Sequence, residues 1–175
     1  MRRSISFSAA AAAALALGLA AAPASAEPTS ATVSVTGGAL IITVPADAGS
    51  LGTRANTVAG GTISGPLGQV QVNDARSAAA GSGWVASVIS TAFTPPSGPA
   101  IAASAVGYDA GAIVKVGTAT YTANNPPNLT GVAPAVTATG ITGDNSATWN
   151  PTINVAVPGG MAANVYSATI THSVV

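Results

Sequence analysis

Gln69-Val70-Gln71-Val72-Asn73 and Thr152-Ile153-Asn154-Val155-Ala156-Val157 decide the fold. In both stretches apolar residues occupy every second position. Successive side chains of a strand point to opposite faces, so this spacing predicts strands with one face buried. Val165 to Val174 behaves the same way: Tyr166, Ala168, Ile170, His172 and Val174 share one face, and Val165, Ser167, Thr169, Thr171 and Ser173 the other. Thr32-Val33-Ser34-Val35-Thr36 alternates too. Trp84 to Thr91 alternates less cleanly and reads as buried on both sides. Further strands are expected at Leu40–Val44, Ile101–Tyr108, Ile113–Val116, Thr118–Thr122 and Val132–Ala138. Alanine is abundant and favours helices, but 20 glycines and 12 prolines leave only strand-length runs over most of the chain. The longest uninterrupted run after Pro23 is Met161 to Val175, and it is rich in β-branched residues.

Between these runs lie turn signals. Gly37-Gly38 suits a hairpin, and Asp109-Ala110-Gly111 and Gly143-Asp144-Asn145 suit tight turns. Val44-Pro45 and Val157-Pro158 end strands, because proline has no N–H for the ladder. Asp47–Pro66 reads as a long loop or weak edge region. Nine or ten short strands with frequent turns predict an all-β fold, an antiparallel β-sandwich of immunoglobulin-like type.

Composition narrows the function. Of 175 residues only 6% are charged and 4% are aromatic, while 48% are hydrophobic. Ordinary domains are about 25% charged. Arg54, Arg76 and Lys115 are scattered, so no basic patch can follow a phosphate backbone, and nucleic acid is excluded as a partner. The absence of cysteine excludes disulfides, thiol nucleophiles and thiolate metal sites.

Met1-Arg2-Arg3, the apolar run Ala9–Ala22, Pro23 and Ala24-Ser25-Ala26 make a secretory signal peptide over residues 1–26, with cleavage before Glu27. The apolar run falls short of the roughly 20 residues that span a bilayer. The general secretory route is preferred to the twin-arginine one, since Ser4-Ile5-Ser6-Phe7 fits the latter poorly. Residues 27–175 are then one β-sandwich domain, slightly acidic after the loss of Arg2 and Arg3, with no membrane span.

Several segments occur in a meaningful order. Leu67 to Arg76 is a valine-rich strand running into an Asp74-x-Arg76 turn. A short loop leads to Gly83-Trp84-Val85-Ala86-Ser87-Val88. Later come Ile153 to Pro158 and the Tyr166-containing final strand. Over residues 67–175 this order resembles the WxL-domain surface proteins of Gram-positive bacteria, in the divergent form of secreted actinobacterial proteins. The resemblance implies a secreted β-sandwich held non-covalently on the cell wall, with peptidoglycan or another wall polymer, or other surface proteins, as partner. Both Trp-x-Leu motifs are altered, to Trp84-Val85-Ala86 and His172-Ser173-Val174. Asn164 stands where that family often has glycine, which suggests a left-handed turn there.

Candidate ligand contacts are Asp74, Arg76, Trp84, Trp149, Tyr166 and His172. Trp84 opens an apolar strand and reads mainly as core. Trp149, between Thr148 and Asn150-Pro151, reads as part of a polar loop and is the better placed of the two for a ligand. Asp74 and Arg76 form either a structural ion pair or a polar handle for a wall polymer. His172 is the only histidine; adjacent strand residues face opposite ways, so it cannot activate Ser173. The aspartates sit near turns, and the lone carboxylate of Gly143-Asp144-Asn145 is thin for calcium, which takes about six to eight oxygens. The expectation is therefore a non-enzymatic protein with no catalytic residue, cofactor or metal. Its alternative role is a self-associating structural or adhesive subunit of the envelope, a possible homo-oligomer that binds no glycan.

Overall fold

The computed structural model describes residues 30–175, so the expected signal peptide lies outside the described residues. Chain contacts divide the protein at Ser34/Val35. Residues 30–34 are exposed and carry no regular structure; all strands belong to Val35–Val175.

Alternating burial builds two antiparallel sheets. The larger contains β1 (Leu40–Thr43), β3 (Val70–Ser90), β6 (Ala133–Trp149) and β5 (Ile113–Ala123) in that spatial order, and β8 (Ile170–Val174) also pairs with β3. The smaller sheet has the order β2 (Gly61–Pro66), β7 (Thr152–Val157), β4 (Val106–Asp109). Every pairing is antiparallel. Both sheets contribute to one hydrophobic core: Val70, Val72, Trp84, Val88 and Ile141 from the larger, Val106, Tyr108, Ile153 and Val155 from the smaller. Each fully buried aliphatic chain contributes about 1.5–3 kcal/mol. The fold is all-β, consistent with a β-sandwich, and among the described residues its only helical element is the single 3-10 turn Ala103–Ala105.

The strands are fewer and longer than expected. Val70–Asn73 and Trp84–Ser90 are two ends of one 21-residue strand, not two strands separated by a loop. Asp74-x-Arg76 is therefore inside β3, and Gly143-Asp144-Asn145 is inside β6. Ile113–Val116 and Thr118–Thr122 likewise merge into β5. The breaks that look like turns in sequence are register shifts, between Asp74 and Trp84 against β6, and between Val116 and Thr120. Ser77 (φ 53°), Gly143 (φ 72°) and Gly117 (φ 88°) take left-handed backbone there. Such a residue can absorb an extra position while pairing resumes beyond it, which is a bulge. At Gly117 a Cβ would also lie 2.6 Å from the Asp144 carbonyl oxygen.

Other expectations change for lack of a partner. Thr32–Thr36 forms no strand, and Gly37-Gly38 makes no hairpin; instead Gly38 N–H donates to the Ala75 carbonyl, alongside β3. Ile101 makes only an isolated bridge to Phe93, and its expected strand begins at Val106. The final strand begins at Ile170 rather than Val165, although the in-and-out burial continues from Val165 to Val175. Asn164 is not left-handed: among non-glycine described residues that conformation belongs to Ser77 and Asn125. Asp47–Pro66 divides into an irregular loop and the edge strand β2. Pro158 follows the end of β7 directly, and the Gly111 N–H donates to Asp109 Oδ1 at 3.0 Å in the expected turn.

Ile153→Ala removes a fully buried side chain of the smaller sheet. It is expected to lower the unfolding free energy in urea by about 2–5 kcal/mol; a loss under about 1 kcal/mol would contradict this core.

Candidate functional site

Asp74 continues the inward series Val70, Val72, and its carboxylate is completely buried. It is fully satisfied. Arg76 grips it with Nε on Oδ1 at 2.8 Å and Nη2 on Oδ2 at 2.9 Å, while the Arg76 backbone N–H donates to Oδ1 at 3.1 Å. Asn145 Nδ2 donates to Oδ2 at 3.2 Å. Asn145 Oδ1 in turn accepts from Trp84 Nε1 and from the Tyr121 hydroxyl, both at 3.1 Å. The Trp84 and Tyr121 rings lie 5.7 Å apart, tilted by 54°. Arg76 Nη2 also reaches the Gly83 carbonyl at 3.2 Å, spanning the irregular stretch of β3. The Arg76 guanidinium, foremost, holds the Asp74 carboxyl below its ordinary value of 3.8, against the opposing effect of burial.

Asp74 and Arg76 therefore form an ion pair, with Asp74 sealed and the Arg76 side chain 37% exposed. Asp74 is sealed in the core and Trp84 is 2% exposed, so neither reaches a ligand in this fold. Trp149 is also displaced from its expected place. It ends β6 instead of sitting in a loop, and it is 2% exposed. Its polar neighbours Thr148 and Asn150 face outward while the indole turns in.

Trp149 belongs to a second polar chain. Its Nε1 donates to the Tyr108 hydroxyl at 2.7 Å, and that hydroxyl lies 3.2 Å from His172 Nε2. The Tyr108 and His172 rings are 5.6 Å apart. Burial pushes the Tyr108 phenol up and pulls His172 down to about 4. His172 and Ser173 oppose Val88 and Ser87 respectively, and only Ser173 is exposed, so the two face opposite ways.

His172 and Tyr166 line a cavity of about 860 Å³. One wall is the irregular loop after β1, another is Ile63, Val155 and Val157 of the smaller sheet, and Leu67, Phe93, Ile101, Met161 and Ile170 add apolar surface. The loop closes on itself just before β2 through Arg54 Nη2, which donates to the Gly60 carbonyl at 2.6 Å. The structure therefore brings Tyr166 and His172 to one site, and places Asp74, Arg76 and Trp84 in a different cluster. Sequence reasoning missed the cavity and Tyr108. Tyr108 sits at an inward position of a short strand, a signal shared with ordinary core tyrosines.

A third surface is the outer face of the larger sheet. Strand register places Thr43, Gln71, Thr148 and Val114 in one row and Ile41, Asn73, Ser146 and Val116 in the next. Neither row contains a charge. Lys115 lies on the opposite face of β5, with Nζ 6.0 Å from the Tyr121 ring centre.

No family model, curated protein or solved structure matches the chain. Among the described residues no helix is long and apolar enough to cross a membrane.

Asp74 makes a signed prediction. Its folded pKa is depressed, so its contribution is intact above about 3.8 and is lost as pH falls through the lower folded value. Asp74→Asn is expected to cost about 2–3 kcal/mol at pH 7, less than a wholly buried pair because the Arg76 side chain is 37% exposed. It should also flatten the stability curve below pH 4 in denaturant titrations. An unchanged acid limb would remove the ion pair as its cause.

Proposed function

We propose that this chain is a secreted, non-enzymatic surface protein that associates non-covalently with a bacterial cell-wall polymer, peptidoglycan above all. Its sheets would form an immunoglobulin-like sandwich of the WxL kind. The observation that carries this reading is the neutral outer face of the larger sheet. Two rows of Thr, Ser, Asn and Gln side chains, flanked by Ile41, Val114 and Val116, offer hydrogen bonds and small apolar contacts without charge. A glycan presents the complementary mixture of hydroxyl, amide and C–H surface. The chemistry of the polar clusters supports a non-catalytic role: Asp74 is held by Arg76, and His172 contacts a tyrosine rather than a carboxylate.

A second reading, self-association without glycan, has its own observation. β5 is the edge of the larger sheet, 11 residues long, and exposes Val114 and Val116. Unpaired strands of that kind template pairing with another chain.

Purified protein is expected to co-sediment with isolated peptidoglycan sacculi, with little change as salt rises, because no ion pair carries the contact. Changing Gln71, Asn73 and Thr148 together to Ala should weaken retention at least about tenfold. Protein that stays in the supernatant at moderate salt defeats the wall reading. For the second reading, light scattering should show oligomers that grow with concentration and disappear with Val116→Lys; a strict monomer across a wide range removes it.

A further inference from the structure

The cavity beside His172 is separate from the neutral sheet face, and its chemistry is specific. Trp149 Nε1–H can only donate, so the Tyr108 hydroxyl oxygen accepts it at 2.7 Å. Tyr108 is 2% exposed, and a buried O–H left without an acceptor is costly. The acceptor within reach is His172 Nε2 at 3.2 Å. Nε2 must then be bare, which places the ring proton on Nδ1. That N–H has no protein partner among the described residues. No buried side-chain nitrogen or oxygen there lacks a partner, so Nδ1 is not sealed in packed protein. His172 lines the cavity, which offers room for a partner.

The other titratable side chains at the cavity each already hold a bond within the protein. Arg54 bonds the Gly60 carbonyl, Asp47 Oδ1 accepts the Gly49 N–H at 2.8 Å, and the Tyr166 hydroxyl donates to the Ala162 carbonyl at 2.9 Å. Burial keeps His172 neutral well below pH 7. A donor without charge thus stands beside the apolar wall of Leu67, Phe93, Ile101, Met161 and Ile170 in a chamber of mixed lining, whose size falls within the roughly 300–1,000 Å³ typical of small-molecule sites.

We propose that this cavity binds an uncharged, mainly aliphatic or aromatic small molecule whose carbonyl oxygen accepts a hydrogen bond from His172 Nδ1–H. The neutral fluorophore N-phenyl-1-naphthylamine serves as the probe, displaced by decanamide or by decylammonium of equal chain length. Decanamide is expected to displace it at about five- to tenfold lower concentration. His172→Phe should abolish that preference while the probe still binds. Ile63→Trp, which fills the chamber, should prevent probe uptake in a protein with unchanged circular dichroism.

Failure of the wild type to take up probe overturns the cavity as a binding site, as does undiminished uptake by Ile63→Trp. Equal displacement by the ammonium overturns the neutral-ligand assignment. A preference that survives His172→Phe overturns the histidine's role. Nitrogen-15 NMR of the single imidazole gives an independent reading: Nδ1 protonated at pH 7 supports the donor, and Nε2 protonated overturns it.

Discussion

One buried carboxylate organises the larger sheet. A charge in a protein interior is tolerated only when its oxygens are bound, and Asp74 is bound by donors from its own strand and from β6. The same cluster recruits Trp84 further along β3 and Tyr121 on β5 through Asn145. Three neighbouring strands are therefore tied together where β3 and β6 lose simple register. Slipping β3 by one position would turn Asp74 outward and leave Asn145 and Trp84 without their bonds, so the network selects a register as well as stabilising it.

A second polar chain does for the two sheets what Asp74 does within one. Trp149 and His172 come from β6 and β8 of the larger sheet, and Tyr108 from β4 of the smaller. Apolar packing between two sheets is non-directional. Two hydrogen bonds through one phenol add direction, fixing how the smaller sheet lies against its partner. Two small polar networks thus sit within an otherwise apolar core, beneath an outer sheet face without charge.

Much of this was legible in sequence where alternation was unbroken. Val70 and Val72, Ile153 and Val155, and the two faces of the Val165–Val174 run lie as their spacing requires. The reading failed at glycines. Gly117 and Gly143 adopt left-handed backbone, which serves a turn and a bulge equally well, and only the partner strand distinguishes the two. Trp149 reads as a loop residue in sequence for a related reason. Thr148, Trp149 and Asn150 themselves alternate, but polar neighbours on both sides imitate a loop. Asn145, 71 positions from Asp74, carries no sequence mark of its partnership. The cavity draws on a loop, both sheets and the segment before β8, so no local pattern announces it.

The chain has two tryptophans, and each is 2% exposed and donates its indole N–H to a different polar network. The tryptophan fluorescence of the protein therefore arises from its interior. Trp84 senses the hydrogen-bonded carboxylate of the larger sheet, and Trp149 senses the phenol that bridges the two sheets. With one emitter in each network, the protein carries its own pair of optical gauges, and a variant lacking either indole would let the two be followed separately.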